Sequence, residues 1–510
     1  MASSNRDGKS LDITLVDVSG NEITKGTWPG HCKIHELFQA AYKSKPGFMC
    51  KLLHGVEELS PQRDVASLCD NLDHLTVVWM CGPVQKNTFA YAHRAFAALK
   101  SDGSVITWGD SAEGGDSHFV HGLQDGVVQV VGNGKAFAAV KSDGSVITWG
   151  LDHYGGDCYL VEHRLQEGVV QVVGNSGAFA AVKSDGSVIT WGEAAEGGDS
   201  SLVEHRLQEG VVQVVGIGYA FAAVKSDGSV ITWGDAANGG DSSLVEHGLQ
   251  EGVVQVVGTS YAFAAVKSDG SVITWGDADY GGDSSLVEHR LQEGVVQVVG
   301  TRPAFAAVTS DGSVITWGDA DYGGDSSLVE HRLQEGVVQV VGNGCTFAAV
   351  KSDGSVITWG AAANGGDSYL VEHRLQEGVV QVVGTGYASA AVKSDGSVIT
   401  WGEADYGGDS SLVEHGLQEG VVQVIGNCYA FAAVKSDGSV ITWGDADYGG
   451  DSSLVEHGLQ EGVVQVVGNC YAFAAVKSDG SVITWGYSAE GGDSSLVEHR
   501  LQEGVIGVVS

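Results

Sequence analysis

The chain has no run of 18 apolar residues, and no hydrophobic core of a leader follows Met1-Ala2-Ser3-Ser4-Asn5-Arg6. A membrane-spanning helix and a secretory leader are therefore not expected, and a cytoplasmic or nuclear location is. Cysteine is scarce, eight in 510 residues, with no C-x-x-C pair, and no His/Cys cluster suggests zinc at Cys32, Cys50, Cys69 or Cys81. This excludes a disulfide framework and a zinc site, so free thiols are expected throughout. Cys428 and Cys470 occupy equivalent places in adjacent units, which reads as drift between copies. Positive charge is short too: 27 Lys+Arg face 64 Asp+Glu, a net charge of −37. Residues 1–85 hold eight of those basic and ten of those acidic residues, so nearly all the excess lies beyond them. Such a surface repels phosphate backbones and anionic lipid, and neither nucleic acid nor membrane is expected as a partner. There is no glycine-rich phosphate loop ending in G-K-[ST], and the Ser, His and Asp of one unit recur in all the others. An active site needs one asymmetric place, so no enzyme and no cofactor are expected.

What is present is repetition. Tryptophan marks it at Trp108, Trp149, Trp191, Trp233, Trp275, Trp317, Trp359, Trp401, Trp443 and Trp485, each step from Trp149 onward being 42 residues. A fixed period of this size means a propeller or a solenoid. Within one unit, Ala262–Lys267 and Ser271–Trp275 are short β-prone runs around Ser268-Asp269-Gly270, an antiparallel hairpin signal. Val295–Val299, between Gly294 and Gly300, is a third strand. Between hairpin and third strand, Ser285 and Glu288 have capping-box spacing, which predicts one or two helical turns and not a fourth strand. Tight antiparallel turns favour propeller blades over a parallel β-helix.

These phrases, GVVQVVG, AFAAVKSDGSVITWG and the following GG, resemble the repeat of the regulator of chromosome condensation family, and the resemblance spans all ten units. It implies a mainly β, propeller-like toroid. Two departures stand: Ala278–Ser284 replaces the family's N-x-x-G-Q-L-G, and ten units exceed its usual seven blades.

Residues 1–82 differ from the rest. Leu11–Val16 alternates as a strand, and Glu22-Ile23-Thr24 is its antiparallel edge. Ile34, Leu37, Phe38 and Ala41 fall on one helical face. Lys51–Leu53 and Leu75–Trp79 are further strands. This β-β-α-β-β order, with KLLHGVEEL and LTVVW, resembles a small α+β ubiquitin-like β-grasp domain, in which Leu53 and Val78 mark a candidate recognition patch. The last strand runs into Met80-Cys81-Gly82-Pro83 with no terminal Gly-Gly, so the domain reads as a fixed recognition module and not a transferable tag. Residues 83–87 form a linker, and 88–510 the repeat array.

The acidic turns are the candidate binding rim: Asp277, Asp279, Asp283 and Glu288, with Asp319, Asp321, Asp325 and Glu330 one unit later. Their spacing imitates a calcium loop, but Gly281 stands where a ligand belongs, and other units lose ligands outright, so no metal is expected. One histidine per unit, as in His247 or His289, reads as a rim residue, and the tryptophans, ending strands in a Val/Ile context, read as core. The expected function is a non-enzymatic scaffold for protein partners, a basic one included, linked to the ubiquitin pathway. The resemblance supplies two alternatives, a guanine-nucleotide exchange factor for a small GTPase and a ubiquitin-ligase accessory subunit. Unit lengths agree within one residue, which leaves no insertion to act as an exchange wedge. Three structural expectations follow. The C-terminal strand should pair with the first unit, whose start is Lys86–Tyr91, and close a ring. The A-F-A-A-V strand, with small side chains, should lie nearest the axis. Ser389, standing where other units have Phe, should be a weak point in the core.

Overall fold

The computed structural model describes residues 10–16, 22–29, 37, 50–54, 57–58, 68, 74–79 and 94–510. The proposed linker, the start of the first unit at 86–91 and most of the Ile34–Ala41 stretch lie outside them. Of that stretch Leu37 is described; it is helical and fully buried.

The N-terminal part is a five-stranded mixed sheet built from β1 (Ser10–Val16), β2 (Glu22–Pro29), β3 (Cys50–His54), β4 (Glu57–Glu58) and β5 (His74–Trp79). Its order is β2-β1-β5-β3-β4. The central pair β1·β5 is parallel, and the other pairs are antiparallel. Ile13, Leu15, Leu75 and Val77, alternate residues of the two central strands, are buried together with Leu37 and Leu68. That alternation is the period-2 signature of a sheet with one covered face.

The remainder is a mainly β array of ten three-stranded sheets. In the fifth, Val253–Gly258, Ala262–Lys267 and Val272–Gly276 lie in that order. The hairpin forms where the sequence places it. Gly270 has φ +80°, a value glycine takes without strain. Asp269 Oδ1 accepts from the Ser271 amide at 2.9 Å and its hydroxyl at 2.7 Å. These bonds hold the Asp269 carboxyl below the usual aspartate range.

The order of strands corrects one expectation. A-F-A-A-V is the middle strand, hydrogen-bonded on both sides, and V-V-Q-V-V is innermost. Inner strands of neighbouring blades touch one another, and a Cβ on Gly216 would stand 2.7 Å from the Gly174 carbonyl oxygen of the preceding blade. Close approach at the axis is thus met by a strand-ending glycine. The alanines serve the blade faces instead. Ala262, Ala264 and Val266 form one face, and pack against Phe305, Ala307, Ile315 and Trp317 of the next blade. Small residues on one face leave room for the aromatic pair opposite, Phe305 on Trp317 at 5.2 Å between centroids.

Each tryptophan also latches its blade to the one before. Trp275 Nε1 donates to the Gly239 carbonyl at 3.1 Å, so its polar atom is satisfied inside the core. Gly239 has φ +98°, and a Cβ there would lie 2.7 Å from the Phe263 ring, which fixes glycine at this turn.

The outer strand is covered by the segment that leads to the next blade. Thr274 Oγ1 donates to Ser284 Oγ at 2.9 Å, and a 3-10 turn follows at Glu288–Arg290. The helical turn is there, but the capping box is not. The Ser285 amide donates to Asp283 Oδ1 at 2.8 Å, and Val287 precedes the turn without a side-chain cap. Asp283, two residues earlier, competes successfully for the local amide.

Val505–Val509 pairs antiparallel with Ala95–Lys100 and completes the first blade. Trp108 Nε1 donates to the Gly491 carbonyl of the tenth blade at 3.1 Å, the same latch as elsewhere. The ten sheets therefore form a closed ring.

Candidate functional site

Every blade has two ends. At one lies the S-D-G hairpin, whose SDGSVITWG phrase is the same in all ten units. At the other, the loop entering the middle strand meets the short turn after W-G, as when Asp277 N donates to the Tyr261 carbonyl at 3.0 Å. The repeats differ at this second end. The residue before the middle strand is Arg94, Lys135, Gly177, Tyr219, Tyr261, Pro303, Cys345, Tyr387, Tyr429 or Tyr471 around the ring. The residue closing the turn is Glu, Tyr or Asn. The hairpin phrase is the same in every blade, whereas the other mouth is individual.

The individual residues touch in sequence around that mouth. Arg94 lies 3.6 Å from Glu490, 4.0 Å from Glu113 and 5.9 Å from the Tyr471 ring. Lys135 Nζ sits 4.6 Å from the centre of Tyr154. Tyr219 stacks on Tyr261 at 5.4 Å, which meets Tyr280 edge-on at 4.6 Å. Tyr429 is the hub of a longer arc, with Tyr387, Tyr406, Tyr448 and Tyr471 at 5.8, 5.4, 4.8 and 6.2 Å.

Three carboxylates of this mouth are pushed up by burial: Glu113, Glu490 and Glu196, the last to about 7. In each, Oε2 is buried without a hydrogen-bond partner. Arg94 offsets the burial at Glu113 and Glu490. At Glu196 the neighbouring Glu193 charge adds to it.

Cys428 and Cys470 are joined by a disulfide, with Cα atoms 4.6 Å apart. The expectation of free thiols fails here because equivalent positions of adjacent blades converge at the inner edge of the mouth, within bridging distance. Cys158 and Cys345 are free.

The eight acidic candidates divide between the two ends. Asp277 and Asp319 are half-buried at the individual mouth, accepting from the Asp279 and Asp321 amides at 2.9 and 3.0 Å. Asp279 and Asp321 are exposed beside them. Asp283 and Asp325 cap the outer segment through the Ser285 and Ser327 amides. Glu288 and Glu330 belong to turns that reach the hairpin end, where Val272 N donates to the Leu291 carbonyl at 2.8 Å. Glu330 pairs with Arg290 of the preceding blade at 3.7 Å, whereas Glu288 faces a blade with Gly248 in the place of that arginine. His289 is exposed on the same outer turn. Among the described residues, no three His, Cys, Asp or Glu side chains group as metal ligands.

In the N-terminal sheet, Leu53 pairs with Thr76 and Lys51 with Val78, so the two candidate positions share the alternate set opposite Leu75 and Val77. Leu53 is half-buried; the Val78 side chain lies outside the described residues.

Reading the sequence for what repeats missed the individual mouth. Its signal is in the differences between units, most of which fall in the loop before the middle strand and the turn after W-G.

No protein-family model matches the chain, and no curated protein matches it. Among solved structures it is similar to Prp20p of Saccharomyces cerevisiae, with TM-score 0.30 and 15% identity over 62% of this chain and 84% of that one. It is similar also to the ectodomain of the Physcomitrella patens receptor kinase CR4, with TM-score 0.31 and 11% identity over 52% and 69%. Human WBSCR16 gives TM-score 0.30 and 18% identity over 69% and 89%. The ring is defined by its own strand pairing. No helix among the described residues is long and apolar enough to cross a membrane.

Proposed function

We propose that the chain is a non-enzymatic protein-interaction scaffold of two parts: a ubiquitin-like β-grasp domain over 1–82 and, after a linker at 83–87, a repeat ring over 88–510. The observation that carries this reading is the contrast between the mouths. A surface repeated ten times offers ten equal sites, whereas an asymmetric partner needs one place unlike the rest, and the individual mouth differs most from blade to blade. The sheet order β2-β1-β5-β3-β4, with its parallel central pair, supports the β-grasp reading and a link to the ubiquitin pathway through Leu53 and Val78. Asp277, Asp279, Asp319 and Asp321 steer a basic partner toward the individual mouth, while Asp283, Glu288, Asp325 and Glu330 extend the negative field along the outer wall. The workplace is the cytoplasm or nucleus.

The test is proximity labelling with the full chain against a variant whose individual mouth is made uniform. Every residue before the middle strand becomes Tyr, and every turn-closing residue becomes Asn. A set of partners lost from the variant, with its melting curve retained, is the expected result. An unchanged partner set overturns the reading. Leu53→Ser in the same experiment should remove a different set.

A further inference from the structure

The individual mouth is not individual in the same way all round. Blades eight to ten carry a contiguous tyrosine arc, with Tyr387 and Tyr487 exposed and Tyr406, Tyr429 and Tyr448 half-buried. At the tenth-blade end of the arc, and elsewhere on the same mouth, the chain's own cations occupy this kind of surface. Arg94 lies over Tyr471 beside a carboxylate, and Lys135 lies over Tyr154. In blades eight and nine the corresponding positions hold no lysine or arginine, while Glu403, Asp405, Asp445 and Asp447 flank the rings. The arc thus has aromatic faces and negative charge suited to a cation, and no cation of its own at those positions.

The spacing narrows the ligand further. Tyr387, Tyr429 and Tyr471, one per blade, follow one another at 5.8 and 6.2 Å between centroids. In an extended chain, alternate side chains on one face are separated by about 6.4–6.8 Å. Successive blades are therefore in near register with every second residue of a strand-like peptide. We infer that the tyrosine arc of blades eight and nine binds an extended polypeptide segment bearing arginine or lysine at alternate positions, each cation set against a tyrosine ring, with Arg94 already filling the matching place on Tyr471 in blade ten. This rests on the scaffold reading and names the partner's chemistry at one arc of the mouth.

The test is fluorescence anisotropy with the full chain and a labelled decapeptide of alternating arginine and serine. A decapeptide with the five arginines in one block and one alternating glutamate with serine serve for comparison. The alternating arginine peptide should bind tightest of the three. The pair Tyr387→Leu with Tyr429→Leu should weaken it by about tenfold, whereas Tyr387→Phe with Tyr429→Phe, which keeps both rings, should stay within about twofold. A structural role alone would not separate Leu from Phe in variants with equal melting curves. If the Leu pair binds like the parent, or the blocked peptide binds equally well, acidic charge alone holds the peptide. The inference then falls, while the scaffold reading stands on its partner experiment. Absence of binding at 100 micromolar also overturns the inference, with the same separation.

Discussion

Ser389 is the one place where the aromatic pair of a blade is missing, and restoring it tests the account of inter-blade packing. In the nine other blades the phenylalanine is at most 1% exposed and stacks on its tryptophan at 5.2 or 5.3 Å. Ser389 holds the same register opposite Trp401 and is 2% exposed. Its space is partly taken by the preceding blade. Asn343 Nδ2 donates to Ser389 Oγ at 2.9 Å, and its amide lies close against Gly384. At the equivalent Asn427 the amide turns the other way. There Nδ2 donates to the Tyr448 carbonyl at 2.7 Å, and Oδ1 accepts from the Tyr429 and Ala430 amides.

In Ser389→Phe, Asn343 loses Ser389 but keeps Thr346 Oγ1 as a partner, and the carbonyl of Asn364 stands where Asn427 finds that of Tyr448. A buried Phe truncated to Ala costs about 3–5 kcal/mol, and the serine–amide bond is worth about 1 kcal/mol. Ser389→Phe should therefore stabilise the ring by about 2–4 kcal/mol. A ring of this size unfolds with large entropy, so each kcal/mol moves Tm by only about 1 °C. Hydrogen exchange of the Ala388–Lys393 amides is the sharper assay, and protection there should rise. Phe431→Ser in the next blade should show the opposite change of similar size. If Ser389→Phe leaves exchange and Tm unchanged or lowers them, the Asn343 amide fills the site as well as a ring does. The proposed gain from the aromatic pair would then be wrong.

Removing residues 504–510 should lower Tm by at least several degrees, since Val505 and Val508 are buried in the closing strand and their exposure alone costs about 3–6 kcal/mol; an unchanged melting curve would refute closure. Glu196→Gln should raise stability at pH 8 and change little at pH 4. The raised carboxyl contributes fully below the ordinary glutamate range, and that contribution is lost as pH rises through about 7; equal effects at both pH values would contradict this. Cys428 and Cys470 should resist maleimide until a reductant is added, whereas labelling of both without reductant would show that the bridge is absent.

Much of the ring is legible in the chain, because local chemistry and global packing agree. The D-G hairpin, the β-branched runs and the glycine turns each specify their own piece, and repetition multiplies the signal. The strand order was less legible: alanine-rich A-F-A-A-V suits a narrow axis and a tight blade face equally, and only pairing on both sides decides. The outer turn was half legible, as the spacing of Ser285 and Glu288 promised a cap that Asp283 pre-empts. The two cysteines looked like drift because the sequence places them 42 residues apart, while the ring places them side by side. The tyrosine arc was hidden for the same reason, since its members become neighbours only when consecutive blades converge. In the N-terminal part, alternation in β1 and β5 marks the buried set, while the proposal of a patch at Leu53 and Val78 draws only on strand register.

Closure through Val505–Val509 changes how the array fails. An open stack of ten units has nine junctions and two end units that fray first. The ring has as many junctions as blades and no end unit. Opening any blade breaks two junctions at once, wherever it lies. Outside blade eight, which lacks its phenylalanine, and the disulfide-linked ninth and tenth blades, local opening should therefore cost nearly the same round the circle, with no gradient of amide exchange from the termini.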